Sequence, residues 1–222
     1  MKGLILKDIY NVRIQIVLGM VLIILLYIVI WLLKFSFSNE EIEGLMGVLD
    51  YGLINYLTIT VCSTFLLNTL SDDIKSGWAK IQLTMPVSDR EIIGGKLAAT
   101  GVIVFALMLF SLIFNIIGIA VYTLPAEPMT MMPIILALLQ MAVLSAVMVI
   151  GYRMQGKVMA VYLVIMLITA GIMALPVISF LTYKISGFAM RLIFYAIIPL
   201  LSLTVIILSF VFGKKAVRNI EV

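Results

Sequence analysis

A chain of 222 residues that is 64% hydrophobic and only 12% charged lacks the composition of a water-soluble domain, where about a quarter of side chains carry charge. Its net charge of +4 includes no histidine, which excludes imidazole metal sites, His proton relays and Ser-His or Cys-His catalysis. Its lone cysteine, Cys62, excludes a disulfide within the chain.

The first thirteen residues place Met1, Leu4, Ile5, Ile9 and Val12 at helical spacing with charges between them. That is the pattern of a short amphipathic helix on a membrane surface, with a frayed basic tail as the alternative. An apolar run from Ile14 to Leu33 follows, bracketed by Arg13 and Lys34. About 20 residues at 1.5 Å each cross a 30 Å hydrocarbon core, so this run predicts a first span. It is too long for a signal-peptide core and has no small-residue cleavage pattern, so it is expected to stay in the mature chain. Ser38 to Glu41 fits a capping box that opens a helix into a second span, Tyr51 to Leu70.

The longest polar interruption comes next, Ser71 to Lys96, with eight charged residues. Four further spans are predicted: Leu97 to about Tyr122, Met129 to Tyr152, Val158 to Tyr183, and Leu192 to Gly213. The TLPAEPMTMMP connection, 123–133, has three prolines and reads as a turn-rich loop. Gly171 and Pro176 predict a kink or break in the fifth span. Outer-membrane strands alternate in polarity over about ten residues, whereas these runs are apolar on every face. The expectation is an all-α polytopic protein with six transmembrane helices in one domain spanning residues 1–222.

Twelve basic residues fall in the N-terminal tail, the connection after span two, the connection after span four and the C-terminal tail. The other side holds only Lys34, Lys184 and Arg191, so both termini are expected in the cytoplasm. The net positive charge then needs no nucleic-acid partner, because anionic inner-leaflet lipids account for it. No Asp, Glu, Lys or Arg lies at mid-depth in a span, which argues against ion-coupled transport. Asn55, Asn68, Asn115 and Gln140 are available there, and hydrogen bonding between helices is favoured over substrate ligation for each. No GxxxxGK[ST] motif occurs; Gly94-Gly95-Lys96 lacks both the upstream glycine and the following hydroxyl. The methionines at 129, 131 and 132 lack a nearby Cys or His, so a copper site there is a weak alternative to packing.

Within the polar interruption, the acidic pair Asp72 and Asp73 suits a helix start, and Ile74, Trp78 and Ile81 fall on one helical face. Pro86 breaks the helix. Ser88 and Glu91 form a second capping box, opening a helix that continues through Lys96 into span three. A helix, a proline turn and a second helix therefore project from the membrane. A tryptophan there calls for something to cover it.

The segment LTMPVSDREIIGGK, Leu83 to Lys96, between spans two and three, resembles the permeases of the ABC type-2 exporter superfamily, as does LKDIY, Leu6 to Tyr10. The resemblance implies that the N-terminal helix is an elbow and that Asp72 to Ile81 is a coupling helix. Asp72, Asp73, Lys75, Trp78, Lys80, Met85, Pro86, Val87 and Ser88 would then meet a separate ATPase subunit, with a smaller contact at Arg153 and Lys157. ATP and magnesium would bind that partner, and this chain would carry no cofactor and no catalytic or metal site. The resemblance also implies a second permease copy and a bacterial plasma-membrane location. The thin outer loops are similar to those of permeases that export amphipathic peptides such as phenol-soluble modulins and lantibiotics.

Spans two and five are the candidate lining of the pathway, through Asn55, Thr58, Thr64, Asn68 and Pro176. Two other classes stay open on sequence. One is a lipid-acting membrane enzyme built on the Asp72–Asp73 carboxylates; the other is a non-transporting anchor or immunity subunit.

Overall fold

The computed structural model describes residues 2–36, 55, 58–59, 69, 72–73, 75–84, 86–122, 126–154 and 192–218. Among them there is no strand, and four helical stretches are long and apolar enough to cross a membrane: Gly3–Val29, Asp89–Ile117, Pro133–Tyr152 and Tyr195–Gly213. They correspond to the first, third, fourth and sixth expected spans. The fifth span, Gly171 and Pro176, and the Ser38–Glu41 box lie outside the described residues. Of the second, Asn55, Thr58, Ile59 and Thr69 are described, each helical and buried.

Helix α1, Lys2–Ser36, is continuous. No turn at residue 13 separates an interfacial helix from a span, because no Gly or Pro between Gly3 and Gly19 interrupts the backbone ladder. One face, with Leu6, Tyr10, Ile14, Val17, Leu25 and Leu32, is exposed as a lipid-facing surface would be. The opposite face buries Asp8, Val12, Ile23 and Tyr27.

A short helix, α2, covers Trp78–Thr84, and α3 covers Asp89–Tyr122. Along α3 the buried stripe runs Lys96, Thr100, Val104, Leu107, Ser111 and Asn115, at steps of three and four. Tyr27 of α1 stacks on Phe114 of α3 at 4.8 Å between ring centroids.

Helix α4, Ala126–Met154, starts earlier than the sequence predicts, so only residues 123–125 separate it from α3 instead of a loop to Pro133. Pro128 falls in the first turn, where a missing N–H costs nothing, and Pro133 is accommodated inside the helix. This helix is the most enclosed, with 61% of its spanning window buried against 19% for α1. Leu136, Leu144 and Val147 make it the centre of the core.

A π-helical turn at Ile193–Ile197 leads into α5, Ile198–Arg218. The Ile198 N–H donates to Ile193 O, a five-residue step just before Pro199, whose ring would clash with the carbonyl four residues back. Helix α5 lies against α4 and α3 and buries Ile198, Ser202, Ser209 and Gly213. A methyl group added at Gly213 would meet Ile93 of α3 at 3.2 Å, so the two helices approach closely there.

Candidate functional site

The polar interruption folds in short local steps. Asp72, Asp73 and Lys75 are helical, and the Ser76 N–H and hydroxyl both donate to Asp72 O, at 2.8 and 2.6 Å. Gly77 then takes φ +75°, a left-handed conformation that glycine adopts without strain. The single helix expected over Asp72–Ile81 is therefore divided at Gly77, and its second part runs on as α2 to Thr84. The expected apolar face is also turned: Ile81 is 47% exposed while its neighbour Gln82 is 4% exposed.

The capping box at the start of α3 forms as the Ser88 and Glu91 spacing predicts. The Ser88 N–H and hydroxyl donate to Glu91 Oε2 at 3.0 and 2.9 Å, and the Glu91 N–H donates to Ser88 Oγ at 3.4 Å.

This local frame delivers four charges to one place. Lys96 Nζ lies 2.7 Å from Asp73 Oδ2 and 3.2 Å from Asp8 Oδ2, and Lys7 Nζ lies 2.6 Å from Asp73 Oδ1. Three elements are thereby joined pairwise, each pair by one ion pair: α1 to the polar segment, the polar segment to α3, and α3 to α1. The side chains of Asp8, Asp73 and Lys96 are each 6% exposed, and Lys7, at 29%, is the water-facing edge. Two cations and two carboxylates balance, which is the condition for burying charge at all.

Helix α1 runs in van der Waals contact with α3 beside Lys96. Gly95, next to Lys96, would meet Leu4 Cβ of α1 at 3.5 Å if it carried a methyl. Lys7 also lies over the Trp78 ring, 4.7 Å from its centroid, a cation–π contact. The Tyr152 hydroxyl of α4, buried and without a hydrogen-bond partner among the described residues, lies in the field of Lys96, Asp73 and Asp8.

The predicted contact residues fall into separate groups. Asp72, Lys75, Pro86 and Ser88 are exposed, and Val87 is half-buried against the core. Trp78 is half-buried beneath Lys7, so the cover that its ring calls for comes, at least on that face, from the same chain. Asp73 is enclosed by two lysines, which leaves Asp72 and Asp73 in unlike settings rather than as a free carboxylate pair. Met85 and Lys157, and the side chains of Lys80 and Arg153, lie outside the described residues.

Lys7, Asp8 and Lys96 were not site candidates from sequence. The two lysines are legible as topology charges and as members of the LKDIY and LTMPVSDREIIGGK motifs, and Asp8 as a member of LKDIY. A lysine following two glycines at the foot of a span was the available signal.

A second buried polar cluster lies farther along α3. Asn55 and Asn115 exchange amide hydrogen bonds at 3.4 and 3.3 Å, and the Ser111 hydroxyl donates to Asn55 Oδ1. All three are fully buried, as is Thr58. Asn55 and Asn115 thus bond between helices, the favoured reading of these amides. Thr64, Asn68 and Pro176, the other candidate pathway residues, lie outside the described residues.

A family model described as ABC-2 family transporter protein matches residues 3–217. No curated protein and no solved structure matches the chain.

Proposed function

This chain belongs to the ABC-2 transporter family, and we propose that it is the permease subunit of an ATP-driven exporter whose ATPase is a separate chain. The observation that carries this reading is the surface exposed by the described residues between 72 and 90, anchored to two spanning helices by the buried ion pairs. Lys75, Ile81, Thr84, Pro86 and Arg90 are all exposed on it, which leaves both charged and apolar groups open to a partner.

In this reading the termini and residues 72–90 are cytoplasmic, and the ATPase binds ATP and magnesium and presses on α2. Two copies of the chain, or this chain and a close relative, enclose the pathway in a bacterial plasma membrane. Rigid-body motion of the spans alternates access between the two sides. The energy then comes from the partner, which accords with spans that carry no mid-depth charge. The substrate class is an amphipathic or antimicrobial-type peptide or another hydrophobic compound, by analogy with the permeases that share the thin outer loops.

Co-expression with a candidate ABC ATPase subunit tests the reading. The wild-type chain is expected to co-purify with it and to raise its ATP hydrolysis. Ile81→Asp combined with Pro86→Ala is expected to abolish both while leaving the permease monodisperse in detergent. Survival of complex and stimulation in that variant would remove α2 from the interface.

A further inference from the structure

We propose that Lys7, Asp8, Asp73 and Lys96 form a latch that makes α2, α1 and α3 move as one body, with Lys96 as its positioning residue. The inference deepens the proposed function, since it rests on α2 being the surface on which the ATPase acts.

Helix α2 has only seven residues and is flanked on both sides by non-helical backbone, Ser76-Gly77 before it and 86–88 after it. A push on a short helix held between two such points bends the chain there and is dissipated. The ion pairs remove that freedom. Lys7 holds Asp73, which precedes Gly77, and lies over Trp78, which follows it, so one side chain splints the left-handed turn from both sides. Lys96 holds Asp73 and Asp8 together, tying the splinted segment and α1 to the foot of α3.

Because each of the three elements is joined to both others, none can swing away without parting a buried ion pair. Asp8, Asp73 and Lys96 are nearly sealed from water, so water cannot readily replace the lost partner. Stiffness of this kind is not required merely to keep the four described spans packed, because α1, α3, α4 and α5 meet through the apolar core.

The test uses the complete permease–ATPase complex in lipid nanodiscs. With Cys62→Ala as background, spin labels go on Thr84→Cys in α2 and Ile116→Cys on the exposed face of α3. Their distance distribution is compared without nucleotide and after trapping with ATP and vanadate. With the latch intact, the distribution is expected to be the same in both states. Lys96→Met together with Asp8→Asn removes one cation and one carboxylate, leaves Lys7 and Asp73 paired, and is expected to shift and broaden the distribution on trapping. Lys96→Arg is expected to restore the single distribution.

Should the double variant fail to fold, Lys7→Gln removes the splint from its water-facing edge, and the same broadening is expected. An unchanged distribution in the folded variants overturns the latch, as does a wild-type distribution that itself shifts on trapping. If the wild-type chain neither binds nor stimulates the ATPase, the permease reading falls and takes the latch with it. If it does both and only the distances disagree, the latch alone falls.

Discussion

Helix α3 carries a buried polar cluster near each end of the same stripe, and the two are built differently. At Lys96 the cluster is ionic and joins three elements, one of them the non-spanning segment that contains α2. At Ser111 and Asn115 it is neutral and joins α3 to Asn55 of the second expected span. Nineteen residues separate Lys96 from Asn115, about 28 Å at 1.5 Å per residue. That is close to the roughly 30 Å thickness of the hydrocarbon core.

If Lys96 stands at one membrane boundary, Asn115 lies near the opposite one, with Ser111 about one turn inside it. Neutral amides and a hydroxyl satisfy one another there without charge. At the Lys96 end, the partly exposed Lys7 supplies a solvated edge, and the interior of the cluster can remain ionic. The contrast teaches that polarity follows access to water: the ionic cluster keeps a solvated edge through Lys7, the neutral one is fully buried and closes on itself, and only the ionic one reaches the surface proposed to meet a partner.

Breaking the two clusters should give unequal losses. Lys96→Met alone leaves Asp8 and Asp73 facing each other with only Lys7 to offset them, and a loss of about 3–5 kcal/mol is expected. Thermal or denaturant unfolding in detergent measures it. Lys96→Met with Asp8→Asn should recover more than half of that loss; equal losses in both would mean that the charge balance is irrelevant.

Asn115→Leu should cost less, about 1 kcal/mol, as interhelical hydrogen bonds within membranes do. A double-mutant cycle with Asn55→Leu should return a coupling of similar size, and additive losses would mean that the two amides act independently. Ser88→Ala removes the cap that sets where α3 begins, and should also cost about 1 kcal/mol by the same unfolding measurement.

The smallest effect, with the opposite sign, is expected at Gly95→Ala. The added methyl meets Leu4 Cβ at an ordinary contact distance of 3.5 Å, and helix propensity favours alanine by up to about 1 kcal/mol. A clear loss instead would mean that α1 lies tighter against α3 than that distance indicates.

Much of the frame was readable along the chain. The apolar run that became α3 was bounded by its own capping box, because Ser88 and Glu91 satisfy each other's backbone within four residues. The misreadings have equally local causes. Prolines 128 and 133 looked like loop residues, yet one sits in a first turn and the other is tolerated within a buried helix. At Trp78 nothing nearby in sequence announces the lysine that covers one face of its ring.

Composition and periodicity by themselves determined that the chain is a multi-pass helical membrane protein. The Leu83–Lys96 motif pointed to the ABC-2 family, whose model matches residues 3–217. These properties are carried by runs of neighbours, through hydrophobic burial and hydrogen bonds a few residues apart. The ion pairs were decided only by the tertiary structure: Lys7 meets Asp73 across 66 positions and Lys96 meets Asp8 across 88. Coulombic attraction acts through space and leaves no period in a sequence, so four ordinary charges became a site only when three elements brought each within 3.2 Å of an opposite charge.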